Sequence, residues 1–392
     1  MAFPGGYSVF VLSARRLARI ALGVAVAVVP GTLLLPGSAA HADVVPTTLS
    51  SAVSPATIVY GRSTAVTGRL TNAGSSTGIA DQPVDLQRRT SAGAWITVAT
   101  SQTAADGGVR FARSPSYTQV FRLRHPGGAA TTAATSPART VSVRHSLTAR
   151  LSRTAVRVGR SVTVRGAVGP AHPGARVYLQ RWSSGAWRQV TSTKLSSSST
   201  YAFTVGQPST GFRSYRVVRP ADSWHLAAVA KLPRLDVYRL HTYVVRTRGA
   251  IVADMSFFRA FVAETYADER GWMRAHRRFT RVSTGGSFTV VMSEARYLPS
   301  YSSVCSTMYS CRVGRYVIIN QNRWRFGSPY FPGPLKQYRQ MVVNHETGHW
   351  LGSGHRFCSS PGGLAPVMQQ QSKGMQGCKP NAWPLAREIA AI

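Results

Sequence analysis

The sequence predicts a multidomain chain: two β-sandwich modules followed by one α/β (α+β) domain. Three observations predict this. Residues 43 to about 238 repeat themselves once and alternate apolar with polar residues. From about 239 the pattern changes to apolar residues at three- and four-residue spacings, mixed with strand-like runs. Ahead of both lies a charged, then apolar, N-terminus that fits neither pattern.

That N-terminus comes first. Arg15, Arg16 and Arg19 precede an apolar run from Ile20 to Leu35, broken at Pro30 and Gly31, and Ala40 and Ala42 supply small residues for cleavage. The order predicts a signal peptide over 1–42, removed before folding and not a lasting membrane span. No second apolar stretch approaches the roughly 20 residues a spanning helix needs. The mature protein is therefore expected to be secreted and extracellular, free or associated with a bacterial cell wall.

Charge narrows the partners. The chain carries 47 Lys+Arg against 13 Asp+Glu, spread through every region. A basic exterior favours anionic partners such as cell-wall polymers. No segment joins clustered basic residues to a nucleic-acid-binding pattern, which argues against a specific nucleic-acid role.

The two modules are expected over 43–144 and 145–238. "YGRSTAVTGRL" at 60–70 is echoed by "VGRSVTVRGAV" at 158–168, and "VDLQRRTSAGAW" at 84–95 by "VYLQRWSSGAW" at 177–187. Period-two alternation with frequent turn residues describes half-buried antiparallel strands. Units of this kind resemble the immunoglobulin-like modules of secreted bacterial surface proteins, which implies spacer or adhesive roles. Trp95 and Trp187 hold matching positions and are expected to pack on their own sheets. No histidine in these units has a ligand-type neighbour along the sequence.

The last domain is expected over 239–392. "ADMSFFRAFVAETYADERGW" places Phe257, Phe258, Phe261, Val262 and Tyr266 at helical spacing, while "SFTVVMSEA" and "RYVIINQNRW" read as strands. The second of these reads equally as an internal strand or as an edge strand, to which an extended peptide could add. "PLKQYRQMVVNHETGHWLG" opens with proline, runs apolar at helical period and stops at glycine.

On that helix His345 and His349 are four residues apart and share a face, with Glu346 beside them. Gly352 permits the sharp turn that brings His355 back towards them. Three neutral imidazoles supply three corners for one Zn2+ per chain and leave the fourth for water, the pattern of a catalytic site. An acidic third ligand is disfavoured, since Glu388 is the only acid after Glu346. Glu346 is the expected general base, taking a proton from that water.

Met368 follows in the turn "APVMQQQ". The combined pattern resembles the metzincin clan of zinc peptidases, in which a methionine turn lies beneath the metal. "ERGW", "RYVIINQNRW", "YRQMVVNHETGHWLG", "APVMQQQ" and "GCKPNAWP" resemble the blocks of a family of secreted actinobacterial proteins with metzincin-type motifs, over about residues 240 to 385. The resemblance implies a metzincin-like zinc-peptidase domain acting on a peptide or protein substrate. Gln370 departs from the clan, where a tyrosine often stands.

Cys305, Cys311, Cys358 and Cys378 allow three pairings. Short loops favour Cys305–Cys311 and Cys358–Cys378, and the second bridge would bracket the methionine turn. Since no cysteine precedes Cys305 to block the metal, a chain starting near Leu240 is expected to be active without further processing; were latency found, Asp222 or Asp236 would be the first candidates for the blocking group. Two rival classes stand beside the endopeptidase: a surface-binding adhesin with a non-catalytic zinc domain, and a zinc hydrolase of peptidoglycan cross-links.

Overall fold

The computed structural model describes residues 43–392, so the expected signal peptide lies outside it. Val45–Ile392 form one compact unit. Among the described residues, no helix is long and apolar enough to cross a membrane.

The first module is two facing sheets. Thr64–Asn72 pairs antiparallel with Thr47–Leu49, Ala52–Ser54 and Gly108–Arg113. The opposing sheet runs Thr57–Val59, Arg139–Arg144, Gln119–His125, Pro83–Arg89, Trp95–Gln102. Alternation along these strands turns Val66, Leu70, Leu86, Leu123 and Val141 into the shared core. Each such side chain, fully buried, contributes about 1.5–3 kcal/mol of transfer free energy.

The second module repeats the plan. Ser161–Gly169 pairs with Thr200–Gly206, and Arg176–Ser183 pairs with Ala186–Lys194 and Tyr215–Arg219. The echoed tryptophans are structural, as their spacing predicts. Arg122 lies 4.3 Å over Trp95 and donates from Nε to Gln87 at 2.8 Å. In the repeat, Arg216 lies 4.5 Å over Trp187 and donates to Gln180 at 2.7 Å.

Where composition changes near 238, the backbone does not break. A single strand, Leu235–Arg248, serves two neighbours in turn. Its first residues pair with Ala155–Arg157 and Gly211–Arg213 of the second module. From Arg239 it pairs in parallel with Arg277–Arg281 and then Phe288–Ser293. The expected boundary between 238 and 239 thus falls within a hydrogen-bonded strand.

The last sheet continues through Tyr316–Asn320, parallel, to Cys311–Val313, antiparallel. Tyr316–Asn320 is therefore internal, which decides between its two readings; Cys311–Val313 is the edge. The run Val317, Ile318 and Ile319 is wholly buried, as a strand covered on both faces requires.

Helix α1, Met255–Ala267, is capped by Asp254, which accepts from the amides of Ser256 and Phe257. Phe258, Phe261, Val262 and Tyr266 face the core, while Phe257 is left 45% exposed. Helix α2, Gln321–Phe326, follows the internal strand. Helix α3, Leu335–Trp350, starts after Pro334 and joins α1 through a 2.7 Å bond between Thr347 and Tyr266. Helix α4, Ala386–Ile389, closes the chain. Cys305 pairs with Cys311 and Cys358 with Cys378.

Candidate metal centre

Helix α3 buries Met341, Val342 and Val343 in the core, and its next turn carries His345, Glu346 and His349. The helix stops at Leu351, and Gly352 adopts φ +101°, a conformation that costs an L side chain strain. That turn returns the chain so that His355 faces the first two histidines. The Nε2 atoms of His345 and His355 each lie 3.1 Å from Nε2 of His349.

Hydrogen bonds fix what these nitrogens can do. His345 Nδ1 lies 2.8 Å from the Val367 carbonyl, and His349 Nδ1 lies 2.8 Å from that of Ser353. A carbonyl only accepts, so each neutral ring carries its proton on Nδ1 and presents a bare lone pair at Nε2. Converging lone pairs repel unless a cation lies between them. The donor set therefore fits a divalent ion such as zinc, with carbonyls orienting the ligands from behind.

Electrostatics favour the neutral rings. Burial, then the neighbouring His349, pulls the His345 pKa down to about 3. Burial also lowers His349 and His355. Burial pushes Glu346 up to about 8, against the opposing pull of Arg312. A dication among the imidazoles would act in the same sense as Arg312 and favour the carboxylate.

Met368 sits directly beneath α3. A Cβ added at Gly348 would come within 2.3 Å of its sulfur and 2.8 Å of the Trp272 ring. Glycine here lets the methionine turn pack against the helix between the two histidines. The turn is held from below by Glu388, which is fully buried. Its carboxylate accepts from the amides of Val367 at 3.1 Å, Met368 at 2.8 Å and Leu385 at 2.8 Å. Val367 thus links Glu388 to His345, its amide bound to one and its carbonyl to the other.

The histidines and Glu346 open into a cavity of about 310 Å³ that Tyr309, Arg312, Gln370 and Lys373 also line. The edge strand borders it through Cys311 and Arg312. Tyr309, Arg312 and Lys373 lack any spacing relative to the histidine motif that would mark them in sequence. Asp222 and Asp236, the candidate blocking groups, are engaged elsewhere. Asp236 bonds His276 and Arg278, each at 2.6 Å, and Asp222 lies among other histidines.

The buried histidines imply a pH dependence. Burial holds His241 near about 4, as it does His145, while His345 sits near about 3. Below about 6.5 the unfolded chain binds these protons and the folded chain does not. Glu346, raised to about 8, acts in the opposite sense, but the three rings outweigh it, so stability rises with pH across that window and is lost on acidification. Metal-free protein should show a falling urea midpoint from pH 7 towards pH 4. A midpoint that stays flat over that range would contradict the burial of these rings.

Residues 216–385 match the family described as "Protein of unknown function (DUF3152)". No curated protein matches the chain. Among solved structures, the chain is similar to the D0-D1 domain of intimin at 12% identity and TM-score 0.21, covering 48% of this chain and 96% of that one. It is similar to the Yersinia pseudotuberculosis adhesin InvE at 12% identity and TM-score 0.22, covering 49% and 58%. Invasin, a bacterial integrin-binding protein, is similar at 14% identity and TM-score 0.24, covering 49% and 39%. Likenesses this low carry no functional argument.

Proposed function

We propose that this protein is a secreted zinc-dependent endopeptidase whose last domain is metzincin-like. One observation carries the reading: three imidazole Nε2 atoms converge beside a buried glutamate at the wall of an open cavity. Zinc held by His345, His349 and His355 would polarise a scissile carbonyl and lower the pKa of water towards about 7. Glu346 lines the same cavity and serves as general base, accepting the proton of the attacking water and returning it to the leaving amine. The free edge of Cys311–Val313 offers backbone groups along which an extended peptide can align. The basic exterior would favour substrates carried on anionic wall polymers.

The cavity is lined by residues from Val304 to Lys373, so neither sandwich module contributes to its wall. The protein spanning residues 43–392 should therefore cleave casein without prior processing, and o-phenanthroline should abolish cleavage. Cleavage of wall peptides but not casein would replace the endopeptidase with a peptidoglycan hydrolase. Zinc binding with no turnover on either would leave the adhesin.

A further inference from the structure

The geometry points to a second metal site, for a divalent ion of the zinc class, held by His145, His172, His225 and Asp222 where the two sandwich modules meet. These four come from three stretches of the sequence, around 145, around 172 and 222–225. His145 directly follows the last strand of the first module, Arg139–Arg144. His172 lies in a loop of the second module before Arg176–Ser183, and Asp222 and His225 lie after Tyr215–Arg219. One donor atom from each falls within 4.8 Å of all the others.

The protons again decide the matter. His172 Nδ1 lies 2.9 Å from the Pro170 carbonyl, so its neutral ring aims a bare Nε2 at Asp222 Oδ2, 3.3 Å away. His225 Nε2 lies 2.8 Å from the Ser116 carbonyl of the first module, leaving Nδ1 bare against Asp222 Oδ1 at 3.1 Å. His145 is 1% exposed, and neither of its nitrogens has a hydrogen-bond partner; its Nε2 stands 3.1 Å from Asp222 Oδ2. Acceptors facing an acceptor repel unless a cation lies among them. Ligand atoms on a tetrahedral zinc with bonds of about 2.0–2.1 Å stand about 3.3 Å apart, close to these separations. Two rings also donate their far nitrogen to a carbonyl, the support that metal-bound histidines use.

Asp222 is also bound by Arg219 at 3.0 Å and by the amides of Trp224 at 3.0 Å and His225 at 2.9 Å. These contacts fix the carboxylate, and Arg219 shares Oδ2 with the ion. Four protein ligands close the coordination shell, so the site is structural: it joins the modules and does no chemistry.

The test uses the full described chain, stripped of metal and titrated with Zn2+. His355→Ala removes a ligand of the other centre and isolates this one. In that background one equivalent of zinc should remain, and added zinc should raise the melting temperature. Adding His172→Ala, or the similarly sized His172→Gln should the first misfold, should abolish both. His172→Ala alone should keep one equivalent at the His345 centre, which separates failure here from failure there. Zinc binding unchanged by either His172 variant, or none in the His355→Ala background, would overturn the site.

Discussion

Glu346→Gln should leave zinc content and thermal stability near wild type while slowing peptide hydrolysis by about 10²- to 10⁴-fold. The expectation follows from the environment of the side chain. Burial already favours the neutral carboxyl in the absence of metal, so a neutral isostere costs the fold little. What disappears is the only group in the motif able to accept the water's proton. His355→Ala should behave otherwise: with one of three ligands gone, zinc occupancy falls, together with the stability that binding supplies. Near-wild-type turnover in Glu346→Gln with zinc bound would remove this glutamate from the mechanism. Equal zinc loss in both variants would give it a structural role instead.

Glu388→Ala should be among the most destabilising single changes in the last domain, by about 3–5 kcal/mol. Three amides that now bond to a buried carboxylate would lose their partner, and each buried orphan costs about 1–3 kcal/mol. The damage should also reach the metal. Without Glu388 the Val367 peptide is free to move, and its carbonyl sets the tautomer of His345. Zinc affinity should therefore weaken although no ligand is altered. Glu388→Gln should be intermediate, because it keeps one acceptor oxygen but turns an NH2 group towards a donor. Urea denaturation and zinc titration of both variants decide the matter; a loss below about 1 kcal/mol for the alanine variant would sink the account.

The difference between Glu346 and Glu388 shows what sequence can convey. His345, Glu346 and His349 share a helix, whose period translates spacing directly into a common face, and Gly352 announces the turn that delivers His355. Met368 follows that helix within a short turn, and each cysteine pair closes a short loop, so these are legible too. Glu388 was read only as an acid too isolated to bind metal. Its partners are backbone amides, two of them about twenty residues earlier, which leave no side-chain signature. The His145, His172, Asp222 and His225 cluster was invisible on the same ground: two modules must pack before the four meet. Strand alternation revealed both sandwiches, but alternation alone does not tell an internal strand from an edge. Tyr316–Asn320 therefore stands open to either reading until its two partner strands are known. Nor does alternation stop where composition does, which is why one strand crosses an expected boundary.

That crossing strand has a mechanical consequence. Tension applied at the N-terminal modules runs along the axis of Leu235–Arg248 and into the last sheet with no slack to absorb it. Neighbouring strands lie alongside, so their ladder bonds are loaded together in shear and not peeled apart one by one. The histidine-bearing helix packs on this sheet, and Tyr316–Asn320, the strand paired with the cavity's edge, lies in it beside Phe288–Ser293. An anchored molecule would therefore keep its cavity at a fixed offset from its point of attachment. It could not sweep a volume as a tethered head would, and any ligand of that cavity would have to be brought within reach.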